Sequence, residues 1–262
     1  GLWWLYPLAG ALAGLSAGLF GIGGGLIIVP AMAYLYARAG FDPACIMHLA
    51  IATSLATIVF TSTSSTIAHA KRDAVLWSVV KMLVPGVLIG TAAGVALAAS
   101  SSTAQLQTVF GVFVIVVSVY LFVDRRPPAQ RDLPGPVVQT IVGAGTGVIS
   151  ALTGIGGGIV VNASLLMFRV PVRESVATAA ATTVPVAFAA AIGFVYTGWH
   201  ISTLPPWSTG FVYWPAVAGI VVASMLTAPL GAYLAHVLPT HVLKRLFAVV
   251  LAIVGARMLI GA

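Results

Sequence analysis

Apolar positions fill this chain in eight long runs, roughly 3–37, 46–70, 76–99, 104–123, 136–168, 176–197, 211–236 and 242–261, parted by short polar breaks. Stretches such as 78–100 and 242–262 are as long as the roughly 20 residues that cross a bilayer as helix. The pattern predicts an all-α integral membrane protein. Two of the runs are interrupted by the same glycine-rich stretch, GIGGG at 21–25 and GIGGG at 154–158.

Superposing the two stretches reveals a longer match: GLSAGLFGIGGGLIIVP at 14–30 lies over GVISALTGIGGGIVVNA at 147–163, with Gly14 over Gly147 and Leu19 over Leu152. A hydroxyl-rich apolar run follows each, 49–70 in the first half and 176–198 in the second, and two further spans complete each half. The charged, proline-rich segment 124-DRRPPAQRDLPGP-136 separates them, and such composition marks a boundary between packed units. The organisation expected is a first membrane repeat at 1–123, a cytoplasmic linker at 124–135 and a second membrane repeat at 136–262.

Charge placement bears on the topology. If all eight runs cross, Arg38, Arg169, Arg173, Lys244 and Arg245 fall on one side and Lys71, Arg72, Arg125, Arg126 and Arg131 on the other, which defies the positive-inside rule. If the two glycine segments instead enter and leave on the same side as broken helical hairpins, only Arg38 is separated from the other nine. Each half then has a hairpin plus three full crossings, an odd number, so the second half is inverted relative to the first, as in many secondary transporters. Seven crossings with a cytoplasmic N-terminus satisfy the charge rule equally, since no charged side chain precedes the first segment. Matched hairpins are preferred because the halves match in sequence.

Composition narrows the class further. Only 6% of residues are charged and 60% are hydrophobic, too few charges to cover a water-soluble fold. The net charge of +7 is what cytoplasmic loops accumulate, so it is no argument by itself for an acidic partner, and no nucleic-acid partner is expected. The single cysteine, Cys45, excludes an internal disulfide or a multi-cysteine metal cage and reads as a packing residue. No cofactor or metal is expected. The N-terminal GLWWLYPLAG lacks a basic n-region and does not read as a signal peptide. Trp3, Trp4, Trp77, Trp199, Trp207 and Trp214 sit near segment ends, as an interfacial belt requires, and Lys81 and Arg257 are placed to snorkel. Pro85, Pro185 and Pro229 are mid-span, where they kink helices more often than they hinge them.

The glycine runs are the candidate chemistry. Consecutive glycines end one short helix and begin another, and broken backbone survives at membrane depth only where protein or trapped water satisfies it. The freed N–H groups at a half-helix start carry partial positive charge and no side chain, so an oxyanion can approach closely. Two such tips meeting at the midplane make an anion site from the backbone around Gly23, Gly24, Gly25, Gly156, Gly157 and Gly158. Isolated glycines such as Gly90, Gly94, Gly143 and Gly231 read as helix-packing positions instead.

Hydroxyls form a second constellation. Thr53, Ser54 and Thr57 follow the first glycine run; Thr178, Thr182 and Thr183 follow the second. Each alone more often bonds back to its own helix, but recurrence in both halves makes Thr53, Ser54, Thr182 and Thr183 candidate ligands. The run 61-TSTSST-66 is longer than one site needs and is expected to line a water-accessible path. Asn162, an amide deep in an apolar segment, needs a partner on a neighbouring helix or substrate. His48 and His69 flank the hydroxyl-rich helix and are candidates for an anion contact or a proton; His200, His236 and His241 read as interfacial.

The GIGGG…P segment, the following 50-AIATS-54 and their repetition resemble the TauE/SafE family of sulfite and organosulfonate exporters over essentially the whole chain. The second half departs from it: Asn162 and Ala163 replace the V-P after the first glycine run, and ATT at 181–183 stands for the usual G-T-S. The resemblance implies a multi-pass carrier of small anions such as sulfite or sulfoacetate in a bacterial inner membrane, and no enzyme. The partners expected are the anion and the lipid bilayer, with a homodimer left open. Rivals are a passive anion channel and an intramembrane hydrolase using Ser54 or Ser150, which lacks a G-x-S-x-G elbow.

Overall fold

A computed structural model of the chain describes residues 4–20, 24–123, 133–168, 170–237 and 240–261, with side chains for all of these except 18–20, 231–232, 235–237 and 240–244. Ten helices carry nearly all of it: α1 (Leu5–Phe20), α2 (Gly25–Arg38), α3 (Ile46–Ala70), α4 (Trp77–Ala99), α5 (Thr103–Val123), α6 (Pro136–Thr153), α7 (Gly158–Met167), α8 (Val172–Gly198), α9 (Trp214–Val237) and α10 (Thr240–Ile260). A two-stranded ribbon, β1 (Ser208–Thr209) and β2 (Val212–Tyr213), precedes α9. The protein is all-α and membrane-spanning: α3, α4, α5, α6 and α8 are each long and apolar enough to cross. Large apolar side chains such as Ile89, Val116, Ile141, Ile192, Leu226 and Ile253 face outward, where lipid tails solvate them. Trp4, Trp77, Trp199, Trp207 and Trp214 are exposed at or beside helix ends; Trp3 lies outside the described residues.

The GIGGG runs divide what apolarity alone joins. The run 3–37 becomes α1 and α2, and 136–168 becomes α6 and α7. At 1.5 Å per residue α1, α2 and α7 are about 24, 21 and 15 Å long, short of a hydrocarbon core of about 30 Å. The second half's hydroxyl-rich helix starts earlier than the run 176–197 indicates, because Pro171 precedes its first turn with extended backbone (ψ 142°), where proline's missing N–H costs nothing.

Specific contacts orient the helices. The Arg173 guanidinium donates to the Arg72 carbonyl at 2.9 Å, so α8 starts where α3 finishes. At the other end Thr103 donates to the Ala44 carbonyl and a ring nitrogen of His48 lies 2.9 Å from the Ala98 carbonyl, joining the start of α3 to the α4–α5 turn. Helices α5 and α10 are antiparallel, held by Ser118 to the Ala248 carbonyl and Gln107 to the Met258 carbonyl. The bundle thus has an Arg72 end and an Arg38 end.

Both glycine-broken segments begin and finish at one end. Tyr6 at the start of α1 and Tyr36 near the finish of α2 have ring centroids 6.5 Å apart, at the Arg38 end. Val161, Leu165 and Val170, on and just after α7, pack with Val79 and Leu83 near the start of α4, so α6 and α7 both open at the Arg72 end. The two hairpins therefore enter the bundle from opposite ends.

Helix α3 is its axis. Every residue from Met47 to Ile58 is buried, as expected of a helix enclosed on all sides, and α8 lies antiparallel beside it. Around this pair, α1 packs along α9 and α6 along α4, each pair parallel. Glycine permits it: a Cβ at Gly10 would stand 2.6 Å from the Ile220 carbonyl oxygen, and one at Gly94 would stand 2.8 Å from the Ala151 Cβ. Gly90 and Gly143 lie in the α4–α6 contact, as packing positions should; Gly231 lies outside the described side chains. The closest pairings run between the two halves of the sequence, α1 with α9, α6 with α4 and α5 with α10.

Candidate functional site

The second glycine run is built by left-handed backbone. Gly154, Gly156 and Gly157 have φ of 72°, 77° and 73°, angles that a Cβ makes costly. Three such residues within four positions stop α6, turn the chain and start α7 at Gly158. The turn doubles back: Gly157 lies against Thr146 and Ser150, two and one helical turns above the end of α6. The first run shares the close approach but not the left-handed angle: a Cβ on Gly24 would stand 2.9 Å from the Cβ of Ala13, while Gly24 itself is right-handed, with φ −80°. Gly23 lies outside the described residues.

The two breaks touch. A Cβ on Gly25 would stand 2.6 Å from the Gly154 carbonyl oxygen and 2.7 Å from the Ile155 Cα, so the start of α2 rests backbone on backbone against the other hairpin's turn. Ile58 of α3 packs beside both Gly25 and Gly156, and Val29 and Ile51 close over Gly154. At the start of α7 the N–H groups of Val160 and Val161 both bond the Gly157 carbonyl, while those of Gly158 and Ile159 have no acceptor among the described residues. Both residues are buried. The helix start thus presents unpaired donors and partial positive charge to the interior, and no Lys, Arg, Asp or Glu is among the buried residues described.

The candidate hydroxyls divide between several surroundings. Ser54 donates to the Gly154 carbonyl at 2.8 Å, and Thr183, bonded back to the Ala179 carbonyl at 2.9 Å, places its oxygen 3.0 Å from where a Cβ on Gly158 would be. These two stand at the breaks. Thr53 faces elsewhere and accepts from the Tyr36 hydroxyl and the Tyr213 N–H, both at 3.2 Å. Thr182 and Thr57 bond back to carbonyls four residues earlier, as hydroxyls in apolar helices do. Asn162 accepts from the Ser175 hydroxyl at 2.7 Å, which supplies its partner from α8. Ser150, on the side of α6 that faces the glycine turn, donates to the Thr146 carbonyl.

The histidines occupy opposite ends of α3. His48 is buried under Phe211, with which it stacks at 5.0 Å, and its Nδ1 has no hydrogen-bond partner. His69 is half-buried at the Arg72 end; His200 is exposed, and the side chains of His236 and His241 are outside those described. Burial, reinforced by nearby Asp42, raises the Cys45 thiol above its ordinary value, which favours its protonated form. Among the described residues no three His, Cys, Asp or Glu side chains converge as a metal site.

Sequence reasoning missed one feature, a plug at the Arg38 end. Residues 199–213 return from α8 to α9 where the first half uses only 71–76, and they fold inward rather than cross or leave. Phe211, Val212 and Tyr213 are buried, and Tyr213 sets its ring edge-on to Tyr36 (5.7 Å), Phe41 (5.4 Å) and Tyr6 (6.2 Å). Gly198 and Gly210 let the ribbon approach α8, Gly210 with φ 53°. The signal lay in the unequal lengths of the two returns and the T-G-F-V-Y sequence, which an apolar reading absorbed into the span 211–236.

Comparison with known proteins agrees with this architecture in kind. The chain is 31% identical, over 96% of its length and 96% of the other, to a probable membrane transporter protein of Haemophilus influenzae. It is 26% identical to one of Methanocaldococcus jannaschii, covering 86% and 81% of the two chains, and 25% identical to YunE of Bacillus subtilis, covering 95% and 94%; both are likewise described as probable membrane transporter proteins. No protein of solved structure matches the chain. The family described as sulfite exporter TauE/SafE matches residues 6–258, and with both glycine hairpins and the helices that hold them inside that span, the chain belongs to this family of membrane transporters.

Proposed function

We propose that this transporter moves a small oxyanion, sulfite or an organosulfonate such as sulfoacetate, outward across a bacterial inner membrane by alternating access about the meeting point of the two hairpins. The observation that carries the proposal is the contact of Gly25 with Gly154 and Ile155, made by hairpins entering from opposite ends, beside the unpaired N–H groups of Gly158 and Ile159. The site groups are the backbone around Gly24, Gly25, Gly156, Gly157 and Gly158 with Ser54 and Thr183, and Gly23 is included from the sequence alone. Thr53, Thr182 and Asn162 support the helices that frame it, and His48 and His69 guard its two approaches. Charge-assisted hydrogen bonds of about 1.5–3 kcal/mol each offset part of the anion's dehydration.

Two inverted repeats account for the internal match and for hairpins of opposite entry. The Arg72 end is cytoplasmic, since Lys71, Arg72, Arg173 and Arg245 gather there against Arg38 and Arg257 at the other. The chain carries no phosphate-binding loop, so the driving force is an ion gradient or the anion's own.

The test is a thermal-shift panel of sulfite, sulfate, sulfoacetate, taurine and acetate on purified protein, since a ligand of the folded state raises its Tm. Gly158→Ala is the informative variant. Gly158 has no left-handed strain and meets only the Thr183 oxygen, so the added methyl crowds the tip without undoing the turn. The oxyanion-specific shift should fall sharply while the ligand-free Tm holds; a full response from the variant places the anion elsewhere. In liposomes, saturable counterflow supports a carrier, whereas a linear conductance establishes the channel instead.

A further inference from the structure

The face of α3 that meets the glycine breaks does not end there. Ile51 and Ser54 lie on Gly154, and Ile58 lies on Gly25 and Gly156. Continuing at spacings of four, three and four, the same stripe passes through Ser62, Ser65 and His69 to the Arg72 end. Above Ile58 the stripe is closed by packing; below it the side chains become polar and progressively more open, from Ser62 (8% exposed) to half-buried Ser65 and His69 and exposed Arg72. The change falls just past Ile58, the residue against which the start of α2 at Gly25 rests.

At the foot of the stripe two arginines converge. Arg173 reaches from α8 to the Arg72 carbonyl at 2.9 Å, and both guanidinium groups act electrostatically on His69. Asp73 and Glu174, chain neighbours of the pair, are the acidic groups beside it. Lys71, Arg72 and Arg173 outnumber these two carboxylates, and the basic groups sit at the mouth of a track of hydroxyls leading to the unpaired amides of α7.

We infer that Arg72, Arg173 and His69 form an entry site that captures the oxyanion at the Arg72 end and passes it along Ser65 and Ser62 to the hairpin tips. This rests on the transport reading above and adds to it a second binding locus. The ligand is an anion with a compact tetrahedral or pyramidal oxygen head, free in solution as sulfite or a sulfonate. A lipid phosphate shares that chemistry, and the experiment separates the two. A mouth of this kind acts on capture more than on turnover.

Sulfite transport is measured in proteoliposomes of neutral phosphatidylcholine, and again with anionic lipid added, across a range of salt, for wild type, Arg72→Gln and Arg72→Lys. The Arg72 carbonyl that holds Arg173 survives both substitutions. Arg72→Gln should raise KM about three- to tenfold at low salt, with kcat unchanged and a shallower dependence on ionic strength, and Arg72→Lys should restore most of the loss. An unchanged KM and salt slope in Arg72→Gln overturns the entry site while leaving the tip site standing. An effect seen only with anionic lipid assigns the cluster to lipid head groups and equally overturns it. If wild type moves no oxyanion, the transport reading falls first and the entry site with it.

Discussion

Ser54 of α3 donates its hydroxyl proton to the carbonyl of Gly154 at 2.8 Å, latching the central helix of one half to the glycine turn of the other. Both groups are buried, so neither has water to fall back on. Ser54→Ala leaves that carbonyl unpaired and should cost about 1–3 kcal/mol. Thermal unfolding in detergent checks it, and an unaltered Tm would mean that the latch is dispensable.

The glycines of α4 and α6 should behave as two populations, those in the contact between the helices and those outside it. A methyl on Gly86 runs into the Thr140 carbonyl, whereas a methyl on Gly145, one face away on α6, meets nothing within 4 Å. Gly86→Ala should therefore destabilise by about 1–3 kcal/mol, as overpacking does, and Gly145→Ala should be neutral or stabilise by up to about 1 kcal/mol. Equal melting temperatures for the pair would contradict the packing described.

Tyr36→Phe keeps the ring stack with Phe41 and removes only the donor to Thr53. Loss of that bond should weaken the plug at the Arg38 end by about 0.5–1.5 kcal/mol. The chain's single cysteine is a native reporter, since Cys45 is buried at the same end. Maleimide should modify it slowly in wild type and several times faster in Tyr36→Phe; identical rates would show that the plug is held by its rings alone.

Gly157→Ala differs in kind from Gly158→Ala. With φ at 73° and Thr146 and Ser150 against it, Gly157 tolerates a side chain neither in conformation nor in space. The variant should lower the ligand-free Tm by the equivalent of about 1–3 kcal/mol, where Gly158→Ala does not. A Gly157→Ala protein as stable as wild type would mean that the turn can rebuild without its left-handed residue.

Much of this architecture was legible in the residues, for identifiable reasons. Apolar run length gives the membrane spans because lipid imposes one thickness on all of them. The breaks at GIGGG were legible because few sequences other than glycine runs accept consecutive left-handed angles, as Gly156 and Gly157 do. Hydroxyl roles were less so: Thr53 and Ser54 are neighbours in sequence yet face a tyrosine cluster and a glycine turn respectively, and 100° of helical rotation decides which. The ribbon at 208–213 was masked, since its apolar residues are buried by tertiary contact and mimic the start of a span, leaving only the longer return and its T-G step as a signal.

The cross-pairing of α1 with α9 and of α6 with α4 has a consequence for how this chain can be made and moved. Cut within the linker, each piece would be left with a naked glycine groove whose filling belongs to its sibling, so two fragments should accumulate only when produced together. On the alternating-access reading proposed above, the moving parts would then not be the first and last hundred-odd residues swinging as blocks. They would be braids, each spun from both pieces, sliding past α3 at the centre.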